Sequence, residues 1–214
     1  VTVADPDCSS SQASRPAAGA VHSAPPTRAS TLPCAPVSTR IHLVRHCEVE
    51  NPDNVWYGLL EGFPLSEAGR LRAQRLGDHF ASHDLAAIYS SPMERAVETA
   101  EAIASRHGLA ITSNQEIIEV RSFLQGQPAD RRVLFKVRNL RYFVNPLRPS
   151  WGEPYRSVAS RMIRALDAIR LAHPEEESVA VSHMTPIQIA RLAAEAQPLR
   201  PWLGKAPCSR GSVT

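Results

Sequence analysis

Two histidines each lie just beyond a short apolar run of this 214-residue chain. Residues 41–44 lead through one arginine to His46, and residues 178–181 lead through one serine to His183. An imidazole can act as a nucleophile or can move protons during a reaction. If the two runs are parallel strands, histidines beyond their carboxyl ends lie where open α/β sheets bind ligands. The spacing therefore predicts one shared pocket.

Two arginines add positive charge to this predicted pocket. Arg45 directly precedes His46, and Arg95 lies in the first turn of a predicted helix. Guanidinium groups bind phosphate oxygens, and the N-terminus of a helix favours the same negative charge. The two imidazoles and two guanidinium groups together suit one oxyanion, so we predict a phosphate site. Arg95 could instead form an ion pair with Glu94 or Glu98.

The elements that must position these side chains alternate between strands and helices. Apolar runs at 41–44, 86–89, near 111 and at 179–181 predict strands, and longer helical stretches separate them. This alternation is typical of α/β proteins. We predict a three-layer sandwich in which helices flank a mostly parallel central sheet.

Local signals place the helices. Ser66 is predicted to precede a helix to about Phe80, and capping boxes at 91–94 and 185–188 are predicted to begin two more. The second of these three helices is predicted to end near His107, and a further helix spans about 153–173. The buried stripes are predicted at Ala96, Ala100, Ile103 and Ala104, and at Val158, Met162, Leu166 and Ile169.

Composition excludes several classes of protein. The chain is 43% hydrophobic and 21% charged, which is ordinary for a globular protein, and its net charge of +3 is too small to indicate nucleic-acid binding. The sequence shows neither a signal peptide nor a membrane-spanning run, so we predict a cytoplasmic protein without a membrane partner. The four cysteines form no C-x-x-C pair, so no zinc knuckle or disulfide framework is predicted. A homodimer is left open.

The composition changes near residue 39. Residues 1–38 are rich in Ser, Ala and Pro and contain no aromatic residue, so they cannot bury enough surface to offset chain entropy. We predict a disordered tail at 1–38, followed by one domain at 39–214. The tail could be a linker, a secretion-related arm or an over-extended gene start.

The segment 43–48, Leu-Val-Arg-His-Cys-Glu, resembles the Arg-His-Gly signature of the histidine phosphatase superfamily, the phosphoglycerate mutase-like group. Residues 57–58, 64–69, 90–100, 118–119 and 181–183 resemble further motifs of that family in the family's order. The resemblance covers roughly residues 40–196, and residues 145–155 are similar to small actinobacterial members. It implies a phosphoglycerate mutase-like fold.

The resemblance implies that His46 attacks a phosphomonoester in line and forms a phosphohistidine, which water then cleaves. The attacking imidazole must be neutral, and the neighbouring charges of Arg45 and Arg95 lower its pKa. These arginines and His183 would stabilise the charge on the transferring phosphoryl group. The scheme needs neither a metal nor a cofactor.

The remaining site residues also come from the family pattern. Glu119 would protonate the leaving alkoxide and later activate water, with Glu116 as the rival for that role. Asn51 lies near the position of a phosphate-contacting Asn, one residue closer to the nucleophile than usual. Ser182 could orient His183 or simply end its strand. The histidines outside the motifs are predicted to be surface or packed residues: His22, His42, His79, His83, His107 and His173.

Two departures from the family pattern affect the expected function. Cys47 replaces the signature glycine, and its side chain could crowd the phosphate loop if the backbone there needs a positive φ. A small buried thiol is favoured over a thiolate nucleophile. Residues 211–214 resemble the start of a terminal strand that similar proteins continue, so we expect a truncated end with an exposed sheet edge.

Residues 131–150 form a basic segment, in which six Arg or Lys residues alternate with apolar and aromatic side chains. In the family, the corresponding insertion covers the active site, which implies a lid and an anionic substrate. A membrane-surface or nucleic-acid patch is the alternative.

Three functions follow from these observations. The first is a phosphomonoester hydrolase that acts through phosphohistidine on a small phosphorylated metabolite. The second is a cofactor-dependent phosphoglycerate mutase, an isomerase, which is disfavoured by the short chain between Arg95 and His183. The third is a catalytically weak phosphate-binding or scaffold protein, suggested by Cys47 and the shortened end.

Overall fold

The computed structural model describes residues 38–130, 152–199 and 208–214, all within one structural unit, Pro36–Thr214. The basic segment at 131–150 lies outside the described residues, as does the predicted tail apart from Ser38.

Four strands form the central sheet: β1 (Arg40–Arg45), β2 (Leu85–Ser90), β3 (Ile111–Ser113) and β4 (Glu177–Ser182). Their order across the sheet is β1-β4-β2-β3, and every neighbouring pair is parallel. The four predicted strands are confirmed. Continuous apolar runs suit these positions because helices cover both faces of a parallel sheet.

The register of β1 and β4 brings the predicted histidines together. Arg45 lies opposite Ser182, so the next residue of each strand leaves the sheet at the same place. The backbone N–H of His46 donates to the carbonyl oxygen of Ser182 at 3.0 Å. The pairing of the two strand ends therefore continues up to His46.

Helices lie on both faces of the sheet: α1 (Glu67–Phe80), α2 (Glu94–His107), α3 (Tyr155–Ala172) and α4 (Met184–Ala194). A short 3-10 helix, Gln115–Ile117, follows β3. None of the helices in the described ranges combines the length and apolarity that crossing a bilayer requires.

Alternation along the strands divides the core into two layers. Val44 and Val181 pack with α1 and α2 on one face, whereas Leu43 and Ala180 pack with α3 and α4 on the other. The predicted stripes of α2 and α3 are buried, except Leu166, which packs partly buried against its layer. The predicted three-layer sandwich is confirmed.

One predicted helix cap is confirmed and two are wrong. The hydroxyl of Ser66 accepts a hydrogen bond from the N–H of Gly69 at 3.1 Å, as an N-cap should. In α2 the N-cap is Met93, without a side-chain bond, and in α4 it is His183. The predicted capping boxes at 91–94 and 185–188 do not form, because both helices begin at other residues. The Ser91 hydroxyl accepts a hydrogen bond from the N–H of Met93 at 3.4 Å and also lies 2.8 Å from the His183 ring.

The C-terminal residues cover the outer edge of β1. Val213 pairs antiparallel with Val44, and Leu43 and Thr214 exchange two backbone hydrogen bonds of 2.9 Å. Residues 211–214 form only an isolated bridge at Val213 and not a strand, but their backbone hydrogen bonds leave this edge of β1 paired instead of exposed as expected.

Candidate active site

The two predicted histidines lie side by side beyond the carboxyl ends of β1 and β4. The ring centroids of His46 and His183 are 5.1 Å apart, and the residues are only 2% and 0% exposed. The predicted convergence of the imidazoles is therefore present in the structure. Their catalytic roles stay predictions.

A backbone carbonyl fixes which nitrogen of His46 carries the proton. Nδ1 of His46 lies 2.7 Å from the carbonyl oxygen of Cys47, which can only accept a hydrogen bond. Nδ1 must therefore donate, and in the neutral ring the lone pair is on Nε2. Burial, and then the charges of Arg95 and Arg45, lower the pKa of His46 to about 3. His46 is consequently neutral at cellular pH, with Nε2 available for attack.

His183 is held by a serine that the sequence analysis assigned to another role. Nε2 of His183 lies 2.8 Å from the hydroxyl oxygen of Ser91, while its buried Nδ1 has no hydrogen-bond partner among the described residues. Burial, followed by the charges of His46 and Arg95, keeps the pKa of His183 well below its usual value. The pairing with Ser91 thus leaves the other nitrogen of a neutral ring for a ligand.

Arg95 is buried in the first turn of α2 and is 1% exposed. Its Nη2 donates to the carbonyl oxygen of Gly58 at 2.6 Å, and its guanidinium carbon lies 4.9 Å from the centre of the Tyr57 ring. The alternative ion pair with Glu98 does not form, because Glu98 accepts from Arg70 and from a backbone N–H instead. Arg95 keeps a buried Nε without a partner among the described residues.

Arg45 is clamped by the C-terminal residues. Its Nη1 donates to the carbonyl oxygen of Cys208 at 2.7 Å, and its backbone N–H donates to that of Ser212 at 3.1 Å. The backbone N–H of Gly211 in turn donates to the carbonyl oxygen of Arg45 at 3.0 Å. As with Arg95, the Nε of Arg45 is buried without a partner among the described residues. Both guanidinium groups can therefore still bind an anion.

The structure separates the two candidate carboxylates. Glu119 follows the 3-10 helix and is partly buried, and burial raises its pKa against the opposing charges of Arg95 and Arg45. Glu116 instead pairs with Arg164 of α3 at 2.8 Å, and its side chain is 42% exposed. Glu119 is therefore the carboxyl group that shares the electrostatic environment of the arginines.

Asn51 and Ser182 both make structural bonds. The side-chain amide of Asn51 donates to the carbonyl oxygen of Val55 and accepts from its N–H, at 2.9 and 3.0 Å. The Ser182 hydroxyl donates to the carbonyl oxygen of Ile117 at 2.7 Å and so ties β4 to the 3-10 helix. Substrate contact by either residue stays a prediction, and the serine bonded to His183 is Ser91.

Cys47 packs into the core between the sheet and α1 and α2 and is fully buried. Its N–H donates to the hydroxyl of Thr99 at 3.1 Å, and burial raises the pKa of its thiol to about 11. Cys47 is not among the described residues with positive φ. The glycine of the family signature is thus not required by the backbone here, and the small buried thiol is the role that the structure supports.

Arg161 is a buried charge near the site that the sequence analysis missed. It lies on α3 and is 7% exposed, with its guanidinium bound to both carboxylate oxygens of Glu153 at 3.0 to 3.2 Å. Its charge opposes the raised pKa of Glu119 and helps to lower that of His183. The sequence signal that could have revealed this buried charge is the position of Arg161, three residues after Val158 on an otherwise apolar helix stripe.

A cavity of about 600 Å³ adjoins Arg95, which is a common size for a small-molecule site. Two carboxylates, Glu61 and Glu94, line it together with Arg95. The rest of its wall is Leu59, Leu60, Gly62, Phe63, Pro92, Met93, Gln115 and Ile118.

Comparison with known proteins identifies the family. Residues 41–214 match the model of the histidine phosphatase superfamily (branch 1), and the chain belongs to this superfamily. It is 38% identical over 187 residues to the uncharacterized protein Rv0525 of Mycobacterium tuberculosis, covering 84% of this chain and 90% of that protein. It is 32% identical over 154 residues to phosphoserine phosphatase 1 of Hydrogenobacter thermophilus, covering 70% and 72%.

Solved structures agree on the fold. YhfR of Bacillus stearothermophilus superimposes with a TM-score of 0.67 at 26% identity, over 83% of this chain and 95% of that chain. A mycobacterial glucosyl-3-phosphoglycerate phosphatase superimposes with a TM-score of 0.64 at 23% identity, over 75% and 81%. These matches show the same fold, and the family assignment points to phosphatase activity.

Proposed function

We propose that the chain is a phosphomonoester hydrolase that acts through a phosphohistidine on His46, with a small phosphorylated metabolite as substrate. The observation that carries this proposal is the state of His46: a neutral ring whose Nδ1 donates to the Cys47 carbonyl oxygen, while its Nε2 has no hydrogen-bond partner among the described residues. Two buried guanidinium groups with unpartnered Nε atoms complete the oxyanion site.

In the first step, Nε2 of His46 attacks phosphorus as the bond from phosphorus to the leaving oxygen breaks. Arg45, Arg95 and His183 stabilise the charge on the three equatorial oxygens. Glu119 donates its proton to the departing alkoxide, for which its raised pKa is favourable.

In the second step, the ionised Glu119 removes a proton from water. The resulting oxygen attacks phosphorus, the bond from phosphorus to Nε2 breaks, and His46 returns to its neutral form. Inorganic phosphate leaves, and Glu119 again carries the proton with which the cycle began.

Hydrolysis is supported over isomerisation by the similarity to phosphoserine phosphatase 1. The cavity beside Arg95 adds a chemical preference, since the carboxylates of Glu61 and Glu94 suit hydroxyl or ammonium groups on the substrate. Phosphoserine and phosphorylated sugars therefore belong in the first substrate panel.

The test uses the purified full chain and measures inorganic phosphate released from this panel, with and without 2,3-bisphosphoglycerate. Mass spectrometry after rapid acid-free quenching should find phosphate on His46. If the protein only interconverts the isomers of phosphoglycerate, and does so only when 2,3-bisphosphoglycerate is present, it is a mutase and not a hydrolase. Tight phosphate binding without any turnover would indicate a binding protein.

A further inference from the structure

A second group of histidines lies at the opposite end of the sheet, near the amino ends of β1 and β4. His42 lies on β1, Glu177 is the first residue of β4, and His83 lies in the connection between α1 and β2. Both histidines pack against Phe80, in line with the expectation that they are surface or packed residues. The structure also brings both of them onto one carboxylate.

The three side chains meet at a single oxygen atom. Nε2 of His42 and Nδ1 of His83 lie 3.2 and 2.9 Å from the same carboxylate oxygen, Oε2 of Glu177. One ligand atom from each residue falls within 4.8 Å of the other two. In tetrahedral zinc sites, bonds of 2.0 to 2.2 Å place ligand atoms about 3.3 Å apart. Small side-chain adjustments would therefore let all three atoms contact one ion.

We propose that His42, His83 and Glu177 bind a divalent transition-metal ion of the Zn²⁺ type. Two imidazoles and one carboxylate are a ligand set that zinc uses, and they leave a position for water. The site is independent of the phosphatase chemistry, because it lies at the other ends of the strands that carry His46 and His183.

The surroundings of the three residues suit a cation that arrives from solvent. The side chains of His42, His83 and Glu177 are 14%, 27% and 24% exposed, so they are ordered but reachable. A cavity of about 460 Å³ opens at His83 and Glu177, and Asp84 and Glu175 add negative charge to its wall. On the inner side, the His42 ring packs edge-on against Phe80 with centroids 5.2 Å apart.

Arg40 is the group that competes with a metal. Its Nη1 lies 2.5 Å from Oε1 of Glu177, the oxygen that the histidines do not use. The side chain of Arg40 is 60% exposed, so it can exchange Glu177 for water when a metal binds. Removing the charge of Arg40 should therefore strengthen metal binding. If His42, His83 and Glu177 form only a hydrogen-bonded structural cluster, the same change would weaken that cluster.

A bound ion would link three separate segments of the chain. β1, β4 and the connection before β2 come together only in the folded protein, so a metal that bridges them favours the folded state. We expect Zn²⁺ to raise the melting temperature of the chelator-stripped protein.

The experiment is a Zn²⁺ titration of the full chain by isothermal calorimetry, after removal of bound metal. We expect one saturable site that His83→Gln and Glu177→Gln each weaken by roughly tenfold or more, since even partners of metal ligands contribute 10- to 100-fold. Arg40→Gln should tighten binding, and His107→Gln is the control that should leave it unchanged.

Other candidate ligands give the opposing outcomes. Loss of binding in His46→Ala but not in His83→Gln would place the metal at the phosphate site and overturn the proposal. A thiolate charge-transfer band of bound Co²⁺ would assign the ion to cysteine and overturn it too, as would absence of saturable binding. Imidazole NMR of the unmodified chain provides a readout that does not depend on variants folding: Zn²⁺ must shift the His42 and His83 resonances.

Discussion

A histidine pair lies at each end of the parallel sheet, and the two pairs differ in what surrounds them. His46 and His183 lie among guanidinium groups and are almost fully buried. His42 and His83 are partly exposed and share a carboxylate oxygen of Glu177. Each environment selects a different use of the imidazole ring.

At the carboxyl ends, burial and positive charge both oppose protonation, so the ring is kept neutral, as the proposed nucleophile must be. At the amino ends, hydrogen bonds from His83 and then His42 hold the pKa of Glu177 below its usual value. An ionised carboxylate beside two imidazoles attracts a cation instead of an anion. Under the two proposals, the neighbouring groups decide whether a histidine serves phosphate chemistry or metal binding.

The most severe test of the comparison is His46→Ala, which removes the attacking nitrogen. We expect phosphate release to fall by roughly 10⁴-fold or more, the scale seen when a covalent nucleophile is deleted. Zn²⁺ binding at the amino ends should persist in this variant. His107→Gln is the matched control, and a His46→Ala protein that kept substantial turnover would remove His46 from its role.

The next test compares two glutamates that are three residues apart. Glu119→Gln should reduce turnover of alkyl phosphates by about 10²- to 10⁴-fold, because the proton donor is lost. The loss should be smaller for an aryl phosphate, whose leaving group needs less protonation. Glu116→Gln, which alters only an exposed ion pair with Arg164, should have little effect. Equal losses in both variants would contradict the assignment.

Replacing Arg95 tests whether its guanidinium group contributes to the proposed phosphate site at the carboxyl ends of the strands. Arg95→Ala should lower kcat/KM by roughly 10²- to 10³-fold, the cost of one transition-state donor. Arg95→Lys should recover part of this, since it restores the charge without the planar pair of donors. Arg70→Ala, at an exposed ion pair, provides the control. An unchanged rate in Arg95→Ala would exclude the residue from the phosphate site.

The smallest effect is a pH dependence of stability. His46 has a folded-state pKa of about 3 against 6.5 when unfolded, so the unfolded chain binds the extra proton below pH 6.5. Its stabilisation is therefore present above pH 6.5 and is lost as the pH falls from there toward 3. From pH 8 to 5, the unfolding free energy of the wild type should drop by about 2 kcal/mol relative to His46→Ala. Urea titrations at both pH values measure this difference, and parallel pH profiles would contradict it.

Local patterns were enough to predict the framework. The apolar runs before His46 and His183 predicted strands, and Ser66 marked the start of α1, because these signals depend on neighbours in sequence. The convergence of the two histidines followed from the rule that strand ends bind ligands. The register that places Arg45 opposite Ser182 could not be derived, since it depends on packing across the whole sheet.

The misses have one physical cause: polar side chains found partners far away in sequence. Ser91 was predicted to cap α2, but its hydroxyl lies against His183, which is 92 residues away. The His42 and His83 rings converge on Glu177 from 135 and 94 residues away. A sequence window cannot contain such pairs, so a histidine without a motif is predicted to be inert until the fold is known.

His42 lies on β1 and His46 directly follows this strand, four residues further along the chain, which is about 13 Å in an extended segment. A metal ion bound at His42 would thus stabilise the strand that positions His46, the proposed nucleophile, at its other end. Chelator-treated samples could lose turnover on warming through melting alone, and such a result would imitate a metal-dependent enzyme although no ion touches the reacting phosphorus. Assays of metal requirement on this chain are best read beside a melting curve taken in the same buffer.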